Sequence, residues 1–384
     1  MDFTENPVPA DAALQARIEQ ARRATLRWLD RMQHPGAARG VSRISAAHDA
    51  AAWPGVLLPG TYNAVLARAL LGDLGAWSPQ ERSALAQWLR AHRRPDGVFR
   101  VPGMTDATVY KKPDLGETWR YIDFHTTNYS LGALEMLEPG VAPVLDFVEP
   151  WLDPIHLKAW LADRDLRDPW QEGNNIVNLG SFLLLRARHG PAAERARVAA
   201  CMDILFDWHD RLQEPSTGFW GVGQAHDPVR ALHAMAGSMH NFHLWYACGR
   251  PLNFHDRAVD WSLAQPAVVH SACIDVDLVD LLVHAHGLQA HRRGDIQRWL
   301  AALLPHLLDL QSPDGGFPDV AAGVRRQDGW VGGYEEPQGL SNTFATWFRW
   351  IAIAMIADLL WPGRWPWVFR GMVGIGYRQP GVPS

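Results

Sequence analysis

The sequence predicts an all-α protein, an (α/α)6 toroid in which six inner and six outer helices alternate around a ring. Apolar residues recur with helical periodicity through most of the chain, and we find no alternating apolar and polar run that indicates a strand. A helix-to-turn signature also repeats along the chain. Because a repeated helix–turn unit is typical of helical arrays as well as toroids, an open solenoid is the alternative arrangement.

The repeated signature is clearest at residues 311–317, which read Gln-Ser-Pro-Asp-Gly-Gly-Phe. Looser copies occur at residues 94–99, 213–220 and 33–41. Proline fixes φ and glycine supplies the positive φ of a tight turn, so each copy ends the helix before it. The helix before each copy is predicted to be outer and the helix after it inner. This order brings the loops that enter the inner helices to one rim, where we expect function to lie.

The predicted helices belong to one domain of residues 1–384, since no Ser/Gly-rich linker divides the chain. Residues 1–11 are predicted to be a flexible N-terminus. Residues 361–384 form a C-terminal tail rich in Trp and Arg, which we expect to pack across the domain; contact with a membrane surface or a partner is the alternative. The predicted helices cover residues 12–33, 62–73, 79–93, 125–138, 154–164, 174–189, 192–212, 230–248, 254–264, 274–288, 294–311 and 340–360.

Charge and cysteine content argue against several classes of protein. The formal net charge is −5 without a long run of one sign, which gives no electrostatic basis for binding nucleic acid. The N-terminus lacks the basic and apolar regions of a secretory signal. Cys201, Cys248 and Cys273 are far apart and odd in number, so we expect reduced thiols in a cytoplasmic protein. The longest apolar stretch, residues 350–361, is too short to span a bilayer and predicts a buried helix, not a transmembrane segment.

The Gln-x-x-x-Gly-x-Phe pattern of residues 311–317 resembles the Gln-Trp repeats of squalene and hopene cyclases, with Phe in place of Trp. The chain thereby resembles the terpenoid cyclase and protein prenyltransferase superfamily of α/α-toroids, from about residue 25 to about residue 350. The same ring also occurs in polysaccharide lyases and glycoside hydrolases, so the resemblance bears on the fold more than on the chemistry.

A second resemblance concerns the acidic residues 275–280. They are similar to the Asp-x-Asp-Asp motif of class II terpenoid cyclases, whose middle Asp protonates an alkene or an epoxide. Asp275 and Asp277 match the first two acids, Leu278 replaces the third, and Asp280 follows two residues later. The resemblance implies an acid-initiated cyclase or isomerase with Asp277 as the proton donor.

The same segment carries a polar stripe if it is helical. Asp277, Asp280 and His284 are three and then four residues apart, so they share one helix face that looks into a cavity in the toroid. Close like charges and burial raise the pKa of a carboxyl group, which lets it keep its proton. We interpret Asp275 as the anion that caps the helix and Asp277 as the retained acid. The alternative is plain capping by Asp275 and a hydrogen-bonded core histidine at residue 284.

Polar residues also begin the other predicted inner helices, where shared helix faces make them candidates for substrate binding. The histidines of residues 233–243 lack the spacing of a zinc motif, so we predict substrate binding there and no metal or cofactor. The adjacent acids Glu335 and Glu336 are a candidate acid and base, since close carboxyls split into one ionised and one protonated group. For each residue the alternative is a cap, a solvated turn or a buried histidine. The candidate binding residues are His125, Asn128, Glu172, Asn175, Asn178, His233, His240, His243 and Asn342.

An acid-initiated cyclase or isomerase is the first functional hypothesis. Asp277 is its proton donor, assisted by Asp275, Asp280 and His284. The chain has 19 Trp against 7 Tyr, which fits a cavity walled by aromatic faces that stabilise cations. The candidate wall residues are Trp220, Trp245, Trp347 and Phe317.

A glycan-active lyase or hydrolase is the second hypothesis. Asp277 would then work with Glu335 or Glu336 as acid and base, while Trp residues stack on sugar rings. The third hypothesis is a non-catalytic toroid that binds a partner. The first two predict a small-molecule or an oligosaccharide substrate and no cofactor.

Overall fold

The computed structural model describes residues 11–100, 118–164, 166–221, 227–320, 334 and 339–378, with the backbone alone for 118–120. These residues confirm the predicted all-α class, since isolated β-bridges join some of them but no sheet forms among them. Their α-helices are α1 (Ala12–Met32), α2 (Leu57–Leu70), α3 (Pro79–Arg90), α4 (Thr118–Leu137), α5 (Pro154–Ala162), α6 (Pro169–His189), α7 (Ala192–Leu212), α8 (Pro228–Cys248), α9 (His255–Ala264), α10 (Ala272–Leu288), α11 (Arg293–Asp309) and α12 (Thr343–Leu360).

The even-numbered helices form the buried layer, and we call them the inner helices. Each contacts the next even-numbered helix along the chain, and α12 contacts α2. The odd-numbered helices bury one face: α3, for example, buries Leu85, Ala86 and Leu89 and contacts α4. In the same way α7 contacts α6, α9 contacts α10, and α11 contacts α12.

Neighbouring inner helices α6 and α8 run parallel. Gly173 of α6 lies against Gly237 of α8, and seven residues later on both helices Gly180 lies against Leu244. A Cβ atom on Gly173 would lie 2.5 Å from the carbonyl oxygen of Gly237, so the pair of glycines lets the two backbones approach closely.

Five inner helices begin earlier than the sequence predicts, and two of them, α6 and α8, start with an Asp-Pro pair. Asp168 caps α6 by accepting a hydrogen bond from the backbone N–H of Gln171 at 3.2 Å, and Pro169 is the first helical residue. Asp227 caps α8 in the same way, ahead of Pro228. Proline suits the first helical position because its φ is already helical and it has no N–H to satisfy. The predicted starts, at residues 174 and 230, are therefore late.

The repeated turn ties the end of an odd-numbered helix to its neighbour. The Nε2 group of Gln311 donates to the carbonyl oxygen of Gly315 at 3.0 Å and to that of Ala21 in α1 at 2.9 Å. Gly315 has a φ of +96°, which favours glycine. In the copy at residues 213–220, Gln213 Nε2 reaches the carbonyl oxygen of Asn253 just before α9, at 2.9 Å. The signature is thus a structural clamp.

The described part of the C-terminal tail, residues 361–378, packs against α4 and α6. Arg370 is buried and donates to Oδ1 of Asn128 at 2.7 Å. The carbonyl oxygen of Val373 accepts hydrogen bonds from Asn128 Nδ2 at 3.3 Å and from Ser181 Oγ at 2.8 Å. The tail therefore holds both helices through backbone and side-chain contacts.

Helix α12 is, among the helices of the described residues, the one long and apolar enough to cross a membrane by length and composition. Within the protein 89% of this stretch is buried. Its contacts with α2, α10 and α11 give it the environment of a core helix.

Candidate functional site

Asp277 of α10 and His240 of α8 form a buried pair. The Asp277 side chain is fully buried, and its Oδ1 lies 3.0 Å from His240 Nε2. Three residues later on both helices, His243 lies 2.8 Å from Asp280, so α8 and α10 also run parallel. Within the described residues, Oδ2 of Asp277 and Nδ1 of His240 are buried without a hydrogen-bond partner. The pair can therefore accept a further polar group.

Burial makes Asp277 a weak acid. It raises the pKa of this carboxyl from 3.8 to about 6, while the charge and hydrogen bond of His240 act in the opposite direction. The nearby carboxylates of Asp280 and Asp275 raise it further. A carboxyl group with this pKa is partly protonated near neutral pH, which is what a general acid requires.

His125 of α4, which interacts electrostatically with His240, belongs to a group of aromatic rings from α4 and α12. The ring of His125 is 4.4 Å from that of Tyr129 and 5.1 Å from that of Tyr121, and Trp347 of α12 meets Tyr129 edge to face at 5.1 Å. Burial lowers the pKa of His125 to about 3, helped by its electrostatic interaction with His240. His125 is therefore neutral at physiological pH, and the cluster carries no positive charge on this ring.

Asp280, one turn beyond Asp277, is held as an anion. Its Oδ1 lies 2.8 Å from Nε2 of His243 and 2.7 Å from Nδ1 of His284. Burial raises the pKa of Asp280, but the charges and hydrogen bonds of the two histidines outweigh burial and hold this pKa well below its usual range. Two carboxyl groups on one helix thus differ in pKa because their partners differ.

Asp275 belongs to a buried ion pair with Arg349 of α12. It also accepts a hydrogen bond from the backbone N–H of His270 at 2.8 Å, and Arg349 donates to the carbonyl oxygen of Asp319 at 2.6 Å. The N-cap of α10 is Ser271, a position the sequence prediction gave to Asp275. Asp275 therefore links α10 to α12 and to the segment before α12.

Helix α6 contributes a carboxyl group and two amides. Glu172 is buried, with Arg164 Nη1 at 3.3 Å and Asn175 Nδ2 at 3.3 Å. Burial raises the pKa of Glu172, and the Arg164 charge opposes this. In the described part of the chain, Oδ1 of Asn175 and Nδ2 of Asn178 are buried without a hydrogen-bond partner. These amide atoms are available to a ligand.

Several candidates take part in packing or capping. Asn342 caps α12, where its Oδ1 accepts from the backbone N–H of Ala345 at 2.7 Å. Trp220 donates from Nε1 to the carbonyl oxygen of His209 at 2.7 Å, and its ring lies 5.5 Å from Trp245. Both Trp residues thus pack between α7 and α8.

The remaining candidates are spread over the molecule. Asn128 is engaged by the tail, as described above. His233 lies at the start of α8, where its ring is 5.2 Å from that of Trp170. Phe317 packs on Trp350 at 6.1 Å, at the end of the turn signature. They do not join the cluster around Asp277.

Glu335 and Glu336 lie outside the described residues, so the structure does not describe the predicted acid–base pair.

Two residues of the candidate site, Tyr129 and Arg349, were not among the residues predicted from the sequence. Tyr129 follows His125 by four residues and therefore shares its helix face. Arg349 is the one charged residue within residues 343–357, and a charge inside an apolar helix signals a buried ion pair.

Comparison with known proteins assigns no family, since no family model and no curated protein matches the chain. The functional conclusion therefore rests on the geometry around Asp277.

Proposed function

We propose that this chain is an (α/α)6-toroid enzyme that starts its reaction by protonating the substrate, as an acid-initiated cyclase or isomerase does. Asp277 is the acid. The observation that carries the proposal is its environment: the side chain is fully buried, His240 holds one carboxyl oxygen, and the other oxygen has no protein partner among the described residues.

The toroid is supported by the contacts of the inner helices. They follow one another from α2 to α12, and α12 contacts α2, which is the order expected of a closed ring. Two pairs of neighbours, α6 with α8 and α8 with α10, run parallel. Each inner helix follows an outer one, so parallel inner helices begin at a common rim. Asp277 lies within the first half of α10, on the side of that rim, and His240 lies just past the middle of α8.

The chemistry follows from the two oxygens of Asp277. A proton leaves Oδ2 for an alkene carbon or an epoxide oxygen of the substrate, and the carboxylate that remains accepts the N–H of His240 at Oδ1. The carbocation formed is stabilised by aromatic faces such as those of Tyr129 and Trp347. His125 stays neutral beside them, so it adds no charge that repels the cation.

A glycan-active enzyme is the second candidate, and the observation that favours it is the pair of unpartnered amide atoms on Asn175 and Asn178. Glycoside hydrolysis also needs a second carboxyl group about 5 to 9.5 Å from the acid. Among the described residues, Asp280 is held by two histidines and Glu172 is paired with Arg164. Neither is available as a base in this arrangement, so the single-acid reaction fits better.

The proposal also assigns a small-molecule substrate and a cytoplasmic location. Cys201, Cys248 and Cys273 form no disulfide bond. Free cysteines are typical of a reducing compartment, which supports this location.

Product analysis on a panel of substrates tests the proposal. Linear isoprenoid alkenes and epoxides form one arm, and acidic oligosaccharides form the other. We expect an isoprenoid isomer or ring product, detected by chromatography and mass spectrometry, from the wild type but not from Asp277→Asn. Asp260→Asn is the matched control, because Asp260 also accepts from a histidine, His291, at 2.8 Å but on the surface. Full turnover by Asp277→Asn contradicts the acid role, and Asp277-dependent cleavage of oligosaccharides supports the second candidate instead.

A further inference from the structure

A second cluster of ligating groups lies one turn along α8 and α10 from the Asp277–His240 pair. It consists of His243, Asp280 and His284, each of which offers one ligand atom within 4.8 Å of the other two. The side chains of His243 and Asp280 are fully buried, and that of His284 is 10% exposed. The proposed reaction gives these residues no proton to transfer, so their arrangement calls for its own explanation.

We propose that His243, Asp280 and His284 bind one divalent metal ion, with zinc as the best match. Two imidazole nitrogens and a carboxylate oxygen form a ligand set that zinc commonly takes. His243 comes from α8 and the other two from α10, so no local sequence motif reveals the site. The sequence predicts no metal here, because that prediction rests only on the spacing of the histidines in α8.

Two of the three distances between the ligand atoms suit this ion, and the third, between the two imidazole nitrogens, is no more than 4.8 Å. Ligand atoms about 2.0–2.2 Å from a tetrahedral zinc ion are about 3.3 Å from one another. Here Nε2 of His243 and Nδ1 of His284 lie 2.8 and 2.7 Å from Oδ1 of Asp280. An outward movement of about half an ångström, within the reach of small side-chain rotations, brings these atoms to the spacing of a zinc site.

Unpartnered atoms in the cluster are an independent indication of a ligand. Nδ1 of His243, Oδ2 of Asp280 and Nε2 of His284 are buried without a hydrogen-bond partner among the described residues. Buried polar atoms are nearly always hydrogen-bonded, so these atoms call for groups that the described part of the protein does not supply. Of the three, only Oδ2 of Asp280 can face the ion, because the two ring nitrogens are not the ones that ligate it. This oxygen gives the site a fourth ligand atom, since carboxylates bind metals through one or both oxygens.

The surroundings favour a structural ion. The ring of Tyr246 stacks on His284 at 4.8 Å and 11°, and the ring of Tyr377 in the tail lies 5.7 Å from His243. These rings exclude water and fix the imidazoles, as the outer shell of a metal site does. Nδ1 of His284 also lies 3.0 Å from the carbonyl oxygen of Asp280, so binding of the ion at this nitrogen replaces that hydrogen bond. The ion would join α8 to α10 next to the tail.

Metal analysis of the purified full-length chain tests the proposal. The protein is expressed with zinc in the medium, and bound metal is measured by inductively coupled plasma mass spectrometry. Chelator-treated protein is then titrated with Zn²⁺ in competition with a chromogenic chelator, and with Co²⁺, whose visible absorption reports its ligand geometry. We expect one equivalent of zinc, saturable binding, and the absorption of four-coordinate Co²⁺. His243→Asn and His284→Asn should lose this binding, whereas His255→Asn, at a neighbouring histidine that contacts the Tyr246 hydroxyl at 3.0 Å, should keep it.

Circular dichroism shows whether each variant folds. If a variant does not fold, the measurements on the wild type still test the metal site. A wild type with no zinc after purification and no saturable binding of either ion overturns the metal site and leaves a carboxylate hydrogen-bonded by two imidazoles. Unchanged binding by the folded double variant His243→Asn/His284→Asn also overturns it. None of these readouts depends on turnover, so failure here is distinct from failure of the proposed acid reaction.

Discussion

Asp277 and His240 share a hydrogen bond of 3.0 Å where neither residue is more than 5% exposed. Two effects act on the acid in opposite directions: the hydrogen bond favours the carboxylate, and burial favours the protonated form. Burial prevails, since the pKa of Asp277 rises to about 6. Asp277 therefore titrates close to the pH of a cell, and this has consequences for both activity and stability.

Activity should depend on pH through the protonated form of Asp277. The reaction needs the proton on this carboxyl, so kcat/KM should be constant at low pH and fall about tenfold per pH unit above about 6. A kcat/KM profile measured from about pH 4.5 to about pH 8 checks this. Asp260→Asn should leave the profile unchanged, because Asp260 lies on the surface with His291. A profile without a descending limb in this range contradicts the assignment.

Asp277→Asn should stabilise the protein at neutral pH. The pKa of this group is raised on folding from 3.8 to about 6, so its favourable contribution is fully present below pH 3.8 and is lost as the pH rises through about 6. At pH 7 the buried charge costs up to roughly 3 kcal/mol, at about 1.36 kcal/mol per pKa unit. Asparagine carries no charge and retains an oxygen that accepts the N–H of His240.

Urea denaturation at two pH values measures this effect. Relative to the wild type, the variant should gain most in free energy of unfolding near pH 7.5, and this gain should shrink towards about pH 4.5, as linkage requires. Asp260→Asn, a surface change, should alter stability by no more than about 0.5 kcal/mol. If Asp277→Asn lowers the free energy of unfolding equally at both pH values, the carboxyl group has a structural role and its charge does not destabilise the protein.

The sequence predicts the class of fold because periodicity and turns are local properties. Proline and glycine in residues 311–317 specify a turn whatever surrounds them, and Gln311 closes it within a few residues. The acids at positions 277 and 280 could likewise be placed on one face of a helix.

The partners of these acids could not be predicted, because they come from other helices. His240 and His243 are 37 residues away from Asp277 and Asp280 along the chain. Spacing within α8 gives no information on which acid each histidine meets. Arg349 was missed for the same reason: its partner, Asp275, is 74 residues away. Long-range pairs of this kind depend on the packing of inner helices, which one sequence does not specify.

Gly132→Ala should destabilise the protein by displacing the tail. A Cβ atom at Gly132 in α4 would lie 2.6 Å from Nη2 of Arg370 and 2.8 Å from its Cζ, closer than contacts in folded proteins allow. Overpacking of this kind costs about 1–3 kcal/mol. Thermal and urea denaturation measure the loss, and Gly75→Ala is the control, since its Cβ meets nothing within 4 Å.

A double-mutant cycle identifies Arg370 as the cause of this loss. Arg370→Met gives up the hydrogen bond to Asn128 but removes the clash with an alanine at position 132. The combined variant should therefore lose less stability than the sum of the two single variants, with an interaction energy of about 0.5–3 kcal/mol. Strict additivity contradicts the idea that Gly132 makes room for the guanidinium.

Arg349→Met should cause a large loss of stability, since it leaves the Asp275 carboxylate buried without its cation. Breaking one side of a buried ion pair typically costs about 3–5 kcal/mol. Asp275→Asn should cost less at neutral pH, because Arg349 keeps its hydrogen bond to the carbonyl oxygen of Asp319. The double variant Asp275→Leu/Arg349→Met removes both charges and should recover much of the loss, because apolar groups of similar size replace a buried pair at little cost. Urea denaturation of the three variants at neutral pH checks this order. The contrary result is a double variant that loses as much stability as the two single variants together. That result would show that the ion pair itself stabilises the protein, for example by linking α10 to α12 and to residue 319.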